Sequence, residues 1–163
     1  MSILNILKHP NPALRKKSKE VSASDNKNPE IQKFIKALTH TMVVRDGIGL
    51  AAPQVDKLTR IIAVNTKEGP LVLINPKILR KSWKKNEGEE GCLSLPGIFG
   101  LVRRNSKIKV CFYDKTGKKI ILKADGLFAR VIQHEYDHLE GVLFIDKTKK
   151  FTKGAELLKK NHE

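Results

Sequence analysis

The chain has 163 residues, 40% of them apolar and 30% charged. That is one domain's worth of an ordinary folded protein and excludes a disordered one. No run of about 18 apolar residues exists to span a membrane, and the opening MSILNILKHPNPALRKK lacks the apolar region of a signal peptide. The expectation is a cytoplasmic protein that stays where it is made, with Cys92 and Cys111 reduced. We read residues 1–163 as a single domain whose charged tail starts at about residue 147. The net charge of +15 fits an anionic partner such as nucleic acid. It fits solvated lysine-rich faces equally well, because the lysines are scattered through the whole chain, and it assigns no function.

There is no internal repeat. Asn28 and Pro29 form a helix start, a cap followed by proline at the first helical position. Ile31, Phe34, Ile35, Leu38 and Met42 then recur at helical spacing, and the helix should end before Gly47. The segment GIGLAAPQ, residues 47–54, is too broken for a helix and reads as an edge or crossing strand. Ile61 to Val64 is a strand, and Leu71 to Ile74 another, stopped by Asn75 and Pro76. Residues 81–90 are charged and read as exposed, and the segment around Cys92 has no clear period. Ile108, Val110 and Phe112 alternate with Lys109 and Cys111 as a half-buried strand. A hairpin turn over residues 114–118 leads back through Ile120, Ile121 and Leu122. Asp125, as a cap, opens a second helix that runs to about Glu140 and stops at Gly141. A third, small helix is predicted around residues 155–160. The order implies an α+β fold: mainly antiparallel sheets packed around a central helix, with an N-terminal helix and a short C-terminal one.

The chemistry concentrates on that central helix. Residues 134–138 read HEYDH, an HExxH pattern. Two histidines four apart share one helical face and one ion, with the glutamate beside them able to take a proton from water. Chance would give this pattern in on the order of one such chain in a hundred. A catalytic metal needs a third protein ligand and an open position. Downstream, Glu156 is a candidate of the endopeptidase kind, although among the lysines of AELLKK it also reads as a solvated helix charge; Asp146 reads similarly. Upstream, Cys92 in EGCLSLP, residues 90–96, offers a softer ligand. Taken alone, a buried core thiol is the simpler reading of Cys92, as it is of Cys111.

Three segments bear on that choice. GIGLAAPQ at 47–54, EGCLSLP at 90–96 and QHEYDHLEG at 133–141 resemble the three signature motifs of peptide deformylases, in the family's order and near its spacing. The opening ILKHPNPALRKKSKEV and the stretch NSKIKVCFYDKTGKKIILKADGLFARVIQHEYDH are similar as well. The resemblance implies Cys92, His134 and His138 as ligands of one divalent metal ion, Fe2+ in many members, with Zn2+, Ni2+ or Co2+ able to replace it. It implies Glu135 as general acid/base, and Gln54 with the Leu93 backbone N–H as oxyanion donors. Ile48 and Gly49 would line a peptide groove, with Gly91 and Leu127 nearby. The implied substrate is a newly made polypeptide that starts with N-formylmethionine. The implied reaction releases formate when water activated by the ion attacks the formyl carbon.

The chain also departs from the family. Phe99 stands where some bacterial members carry an arginine near the substrate, and no insertion separates the first two motifs, as in the shorter type. Members with a basic C-terminal helix dock on the ribosome, and here Lys149, Lys150, Lys153, Lys159 and Lys160 could serve that end. Plainer roles remain beside the catalytic ones: a bend for Gly47 and Gly49, core for Leu50, Ala51 and Ala52, a turn amide for Gln54, packing for Tyr136 and Leu139. Asp137 either bonds within the helix or orients a ligand histidine. The rivals are an HExxH endopeptidase using Glu156 and a non-catalytic RNA-binding protein with a structural metal.

Overall fold

The computed structural model describes residues 2–22, 25 and 28–160. Helix α1 (Pro29–Val44) starts as its first residues predict, with the Asn28 side chain accepting from the Glu30 N–H. It carries Ile35, Leu38 and Met42 into the core. After it, GIGLAAPQ splits in two. The expected strand is there as β1 (Gly49–Ala51), and Ala52–Val55 winds into a 3-10 turn that the sequence reading missed.

Strands β2 (Ile61–Thr66) and β3 (Gly69–Lys81) follow. Asn75 and Pro76 do not stop β3, as expected from sequence, but interrupt its pairing with a register shift between Ile74 and Lys77. Asn75 takes a φ of 50° there, and its side-chain amide exchanges two hydrogen bonds with the Val21 backbone. Proline lacks only a donor, and an irregularity is where a ladder can spare one. Residues 81–90 are largely exposed, as expected, yet most of them belong to β4 (Lys85–Cys92), which pairs along its length with β5 (Leu95–Asn105). β6 (Lys107–Tyr113) and β7 (Lys119–Asp125) form the predicted hairpin, its turn held by Asp114.

Helix α2 (Gly126–Leu139) begins at Asp125 as expected, although the Asp125 side chain makes no capping hydrogen bond. It ends before Gly141, whose φ of 72° a side chain would strain. The segment read as a charged tail carries β8 (Thr148–Lys153), which was not expected, and then α3 (Ala155–Lys160), which was. All strand pairs are antiparallel, in a five-stranded sheet ordered β1-β2-β3-β6-β7 and a three-stranded one ordered β4-β5-β8.

The sheet is covered unevenly. At β2, Ile62 and Val64 pack with α2, while Ile61 and Ala63 pack with α1. With both faces buried, β2 reads as an unbroken apolar run. At β6 the α2 side is buried and the other side only partly covered, so apolar and polar residues alternate until Tyr113. Helix α2 is tied to the second sheet as well: Arg130 donates to the Val102 carbonyl, and Gln133 to that of Asn105. It is the central helix that the sequence implies, held between two sheets.

Candidate active site

The C-terminal half of α2 carries His134, Glu135 and His138, all nearly buried. One helical turn brings the two histidines onto one face, with ring centroids 5.1 Å apart. β4 ends in a register shift between Gly91 and Cys92. Such irregularities re-aim a side chain, and here the Cys92 Sγ comes to 3.3 Å from His138 Nε2. One donor atom from each of Cys92, His134 and His138 lies within 4.8 Å of the others. Two ligands of a single tetrahedral ion stand roughly 3.3–3.6 Å apart, so the sulfur and the His138 nitrogen already have the separation a shared ion requires.

Glu90 orients one member of this group, His134. Its carboxylate accepts from Arg104 and Arg130 and lies 2.9 Å from His134 Nδ1. Burial opposes its charge, but hydrogen bonds from His134 and Arg104 prevail and hold its carboxyl well below the usual carboxylate range. An ionised carboxylate only accepts, so His134 Nδ1 carries a hydrogen and donates it to Glu90, which leaves Nε2 as the atom that faces Cys92. Burial works against charge on His134 as well, yet contacts with Cys92 and Glu90 push it up to about 10. His138 is driven well below its ordinary value by burial and by the charge on His134. A cluster that draws one positive charge this strongly, through a thiol and two imidazoles, is a donor set suited to a divalent metal ion.

Glu135 is different in kind. It is 4% exposed, its Oε2 has no hydrogen-bond partner, and burial raises its pKa to about 7. Gly49 lies directly against it: a Cβ built there would sit 2.8 Å from both Cγ and Cδ of Glu135. Gln54 is fixed by the 3-10 turn. Its Oε1 accepts from the Ala51 N–H, while Nε2 donates to Ser94 Oγ at 3.1 Å and to Cys92 Sγ at 3.3 Å. The turn-amide reading and the donor reading of Gln54 are therefore compatible, since they use different ends of one amide.

These groups open onto a cavity of about 510 Å³, within the usual range for small-ligand sites. Gly49, Gln54, Gly91, Cys92 and Leu93 line it together with His134 and Glu135. Ile48 and Leu127, 57% and 66% exposed, stand in its lining as large apolar side chains open to solvent. Phe99 packs on Gly91, and the Lys153 ammonium stands 5.9 Å from the Phe99 ring centre.

Several sequence expectations need correction. Asp137 orients no ligand histidine; its carboxylate pairs with Arg104 and Lys147. Cys111 is half-buried on the outer face of β6 and not in the core. Glu156 is exposed on α3 and outside the ligand group, and Asp146 pairs with Arg15. Of the C-terminal lysines, Lys149, Lys150 and Lys153 lie on β8; the Lys160 side chain lies outside the described residues. Sequence reasoning gave no role to Glu90, Arg104, Arg130 or Lys8, the last of which donates to the Leu93 carbonyl. For Glu90 no local signal existed: it stands two residues before Cys92, but the register shift at Gly91–Cys92 breaks the alternation by which residues of that spacing share a face.

Known proteins bear on this arrangement. The family profile for polypeptide deformylase matches residues 3–154. Peptide deformylase 1 of Bacillus anthracis is 43% identical over 159 residues, covering 96% of this chain and 99% of the relative. A crystal structure of peptide deformylase from Thermotoga maritima superposes with a TM-score of 0.87 at 38% identity, over 91% of this chain and 99% of the other. A class I type b peptide deformylase from Acinetobacter baumannii, solved with Met-Ala-Ser bound, gives 0.85 at 33% identity, over 90% and 98%. Likeness of this extent, through both sheets and the HExxH helix, leaves one conclusion: the chain belongs to the peptide deformylase family of metal-dependent hydrolases, which remove the formyl group from formyl-methionine peptides.

Proposed function

We propose that this chain deformylates newly made polypeptides in the cytoplasm as they leave the ribosome, with Cys92, His134 and His138 holding one divalent ion and Glu135 moving the proton. The observation that carries the proposal is the buried Glu135 carboxylate, one oxygen of which is unpartnered, in the same cavity as Cys92 and His134 of the cysteine–histidine group. A thiolate with two imidazoles suits iron(II), and zinc, nickel or cobalt as alternatives. When bound, such an ion supplies Lewis acidity, bringing the pKa of water from about 15.7 to about 7.

The reaction consumes one water and breaks the formyl C–N bond, giving formate and a free amine. Glu135 takes a proton from the attacking water and returns it to the amine nitrogen as that bond breaks. Its pKa of about 7 suits both halves of the transfer. Gln54 Nε2 and the Leu93 backbone N–H are assigned to the developing oxyanion, where one such donor is worth about 3 kcal/mol. Ile48, Gly49, Gly91 and Leu127 form the walls for the methionine and the residues after it.

The Acinetobacter baumannii relative holds Met-Ala-Ser, the product that formyl-Met-Ala-Ser would leave here. Formate release from that substrate, by metal-loaded enzyme prepared without oxygen, is the direct test. Glu135→Gln should keep the metal and lose activity by at least about a hundredfold. Absence of release from enzyme verified to carry iron or zinc would remove the assignment.

A further inference from the structure

The outer face of β3, β6 and β7 takes no part in the site. Beyond β3, Ile108, Val110 and Phe112 point to the α2 side, and Lys109 and Cys111 to the other. The strand register sets Arg80 opposite Lys109, and Lys109 opposite Lys123. Three cations thus stand side by side across three strands, at a spacing of about 4.8 Å per strand. Like charges at directly opposed positions destabilise a sheet. Among the described residues none of the three has an acidic partner. Acids do occur at the margins of the same face: Glu20 pairs with Lys77 at 3.2 Å, and Asp125 lies opposite Lys107. The row itself has been left unbalanced.

At the end of these strands, between β3 and β4, is Trp83. It is the one tryptophan of the chain and is 101% exposed, fully in solvent. Ser82 bonds to both the N–H and the carbonyl of Lys107, which ties this turn to the start of β6. Lys81, Lys84 and Lys85 flank the tryptophan and are exposed with it. Arg80 is three residues away, about 10 Å along an extended chain.

We propose that this face binds an unpaired segment of RNA, with phosphates on the Arg80, Lys109 and Lys123 row and a base stacked on Trp83. The cation row alone would accept any polyanion. A bare indole three residues along the chain from Arg80 selects a polyanion that carries flat aromatic groups, the combination by which proteins hold single strands. Stacking needs an unpaired base, which argues against a duplex. The choice of RNA over DNA rests on the proposed function, because newly made polypeptides emerge where RNA is the abundant polyanion.

The test uses the full, metal-loaded chain and a labelled single-stranded oligoadenylate of about 20 nucleotides, long enough for one binding site, followed by anisotropy and by tryptophan emission. Binding should quench Trp83, and log affinity should fall with log salt at a slope of about −2 for three phosphate contacts. Trp83→Ala should weaken binding about tenfold and leave the slope unchanged. The triple variant Arg80→Ser, Lys109→Ser, Lys123→Ser should weaken binding further and bring the slope close to zero. Turnover of formyl-Met-Ala-Ser should be unchanged in both variants, so that failure of RNA binding and failure of the deformylase assignment appear in separate assays. Unquenched emission on saturation, equal binding of polyglutamate or duplex RNA, or an equal loss from Lys149→Ser with Lys150→Ser would overturn the proposal.

Discussion

Gly49→Ala isolates the role of Glu135 with a single methyl group. Gly49 does not occupy the left-handed backbone region, so alanine adds no strain to β1 itself. What it adds is a Cβ 2.8 Å from the Cγ and Cδ of Glu135. Non-bonded carbons rest at about 3.5–4.0 Å, so the carboxylate must retreat by roughly 1 Å. A misplacement of that size costs on the order of a hundredfold in rate. The three atoms nearest the new methyl all belong to Glu135 and none to a proposed ligand, so metal content should stay at one ion per chain. Steady-state kinetics on formyl-Met-Ala-Ser, with metal analysis of the same sample, make the assay. The expected result is a kcat lower by about a hundredfold with metal retained. A wild-type kcat, or a fall in rate that tracks loss of metal, would refute the reasoning that Gly49 exists to admit the Glu135 carboxylate.

Glu90→Gln removes the charge that fixes His134 and should weaken metal affinity about 10- to 100-fold, read by chelator competition; unchanged affinity would mean that the histidine needs no such anchor. Cys92→Ser should lose the metal while Glu156→Gln keeps it, and the reverse pattern would revive the endopeptidase alternative. In Glu140 and Asp146 burial pushes the carboxyl upward, but Lys17 and Arg60 on Glu140, and Arg15 on Asp146, outweigh it and lower both pKa values. Between the folded and unfolded values the unfolded chain binds more protons, so stability falls as pH falls. These ion pairs should contribute fully above about pH 5 and be lost as the pH drops through the depressed folded values. Urea unfolding of Glu140→Gln with Asp146→Asn should show a shallower acid limb than wild type, and identical limbs would contradict the assignment.

What the sequence made legible was local. The HExxH spacing is a helical period, the start of α1 is written in Asn28 and Pro29, and the β6–β7 hairpin in its alternation and turn. The parts it hid depend on partners distant in the chain. β4 is largely exposed and charged because among the described residues it pairs with β5 alone, and an exposed edge strand has little apolar pattern to read. β8 is likewise charged and, among the described residues, pairs with β5 alone. Asn75 and Pro76 look like a stop because their compensation, the Val21 backbone, lies 54 residues away. The proposed ligand role of Cys92 came from the resemblance of its motif, since a thiol in an aperiodic segment has no local mark.

Glu90, Arg104 and Asp137 show why the hidden part of the site matters. From Lys147 through Asp137, Arg104 and Glu90 to His134, charges alternate in an unbroken line of hydrogen bonds, and both Arg104 and Glu90 are buried. Networks of this kind add little net stability, because well-packed apolar residues of the same volume do as well or better. Removing one member is another matter, at about 3–5 kcal/mol, because it strands a buried charge. Stability therefore does not account for the line. Its end does: only an ionised Glu90 keeps the hydrogen of His134 on Nδ1, and Glu90 stays ionised in a buried site because Arg104 and Arg130 face it. Arg104 in turn needs a second anion, and Asp137, one residue from His138 on the same helix, supplies it. The HExxH helix thus carries two of the three proposed ligands together with the carboxylate that closes the charge balance of the group orienting one of them, His134.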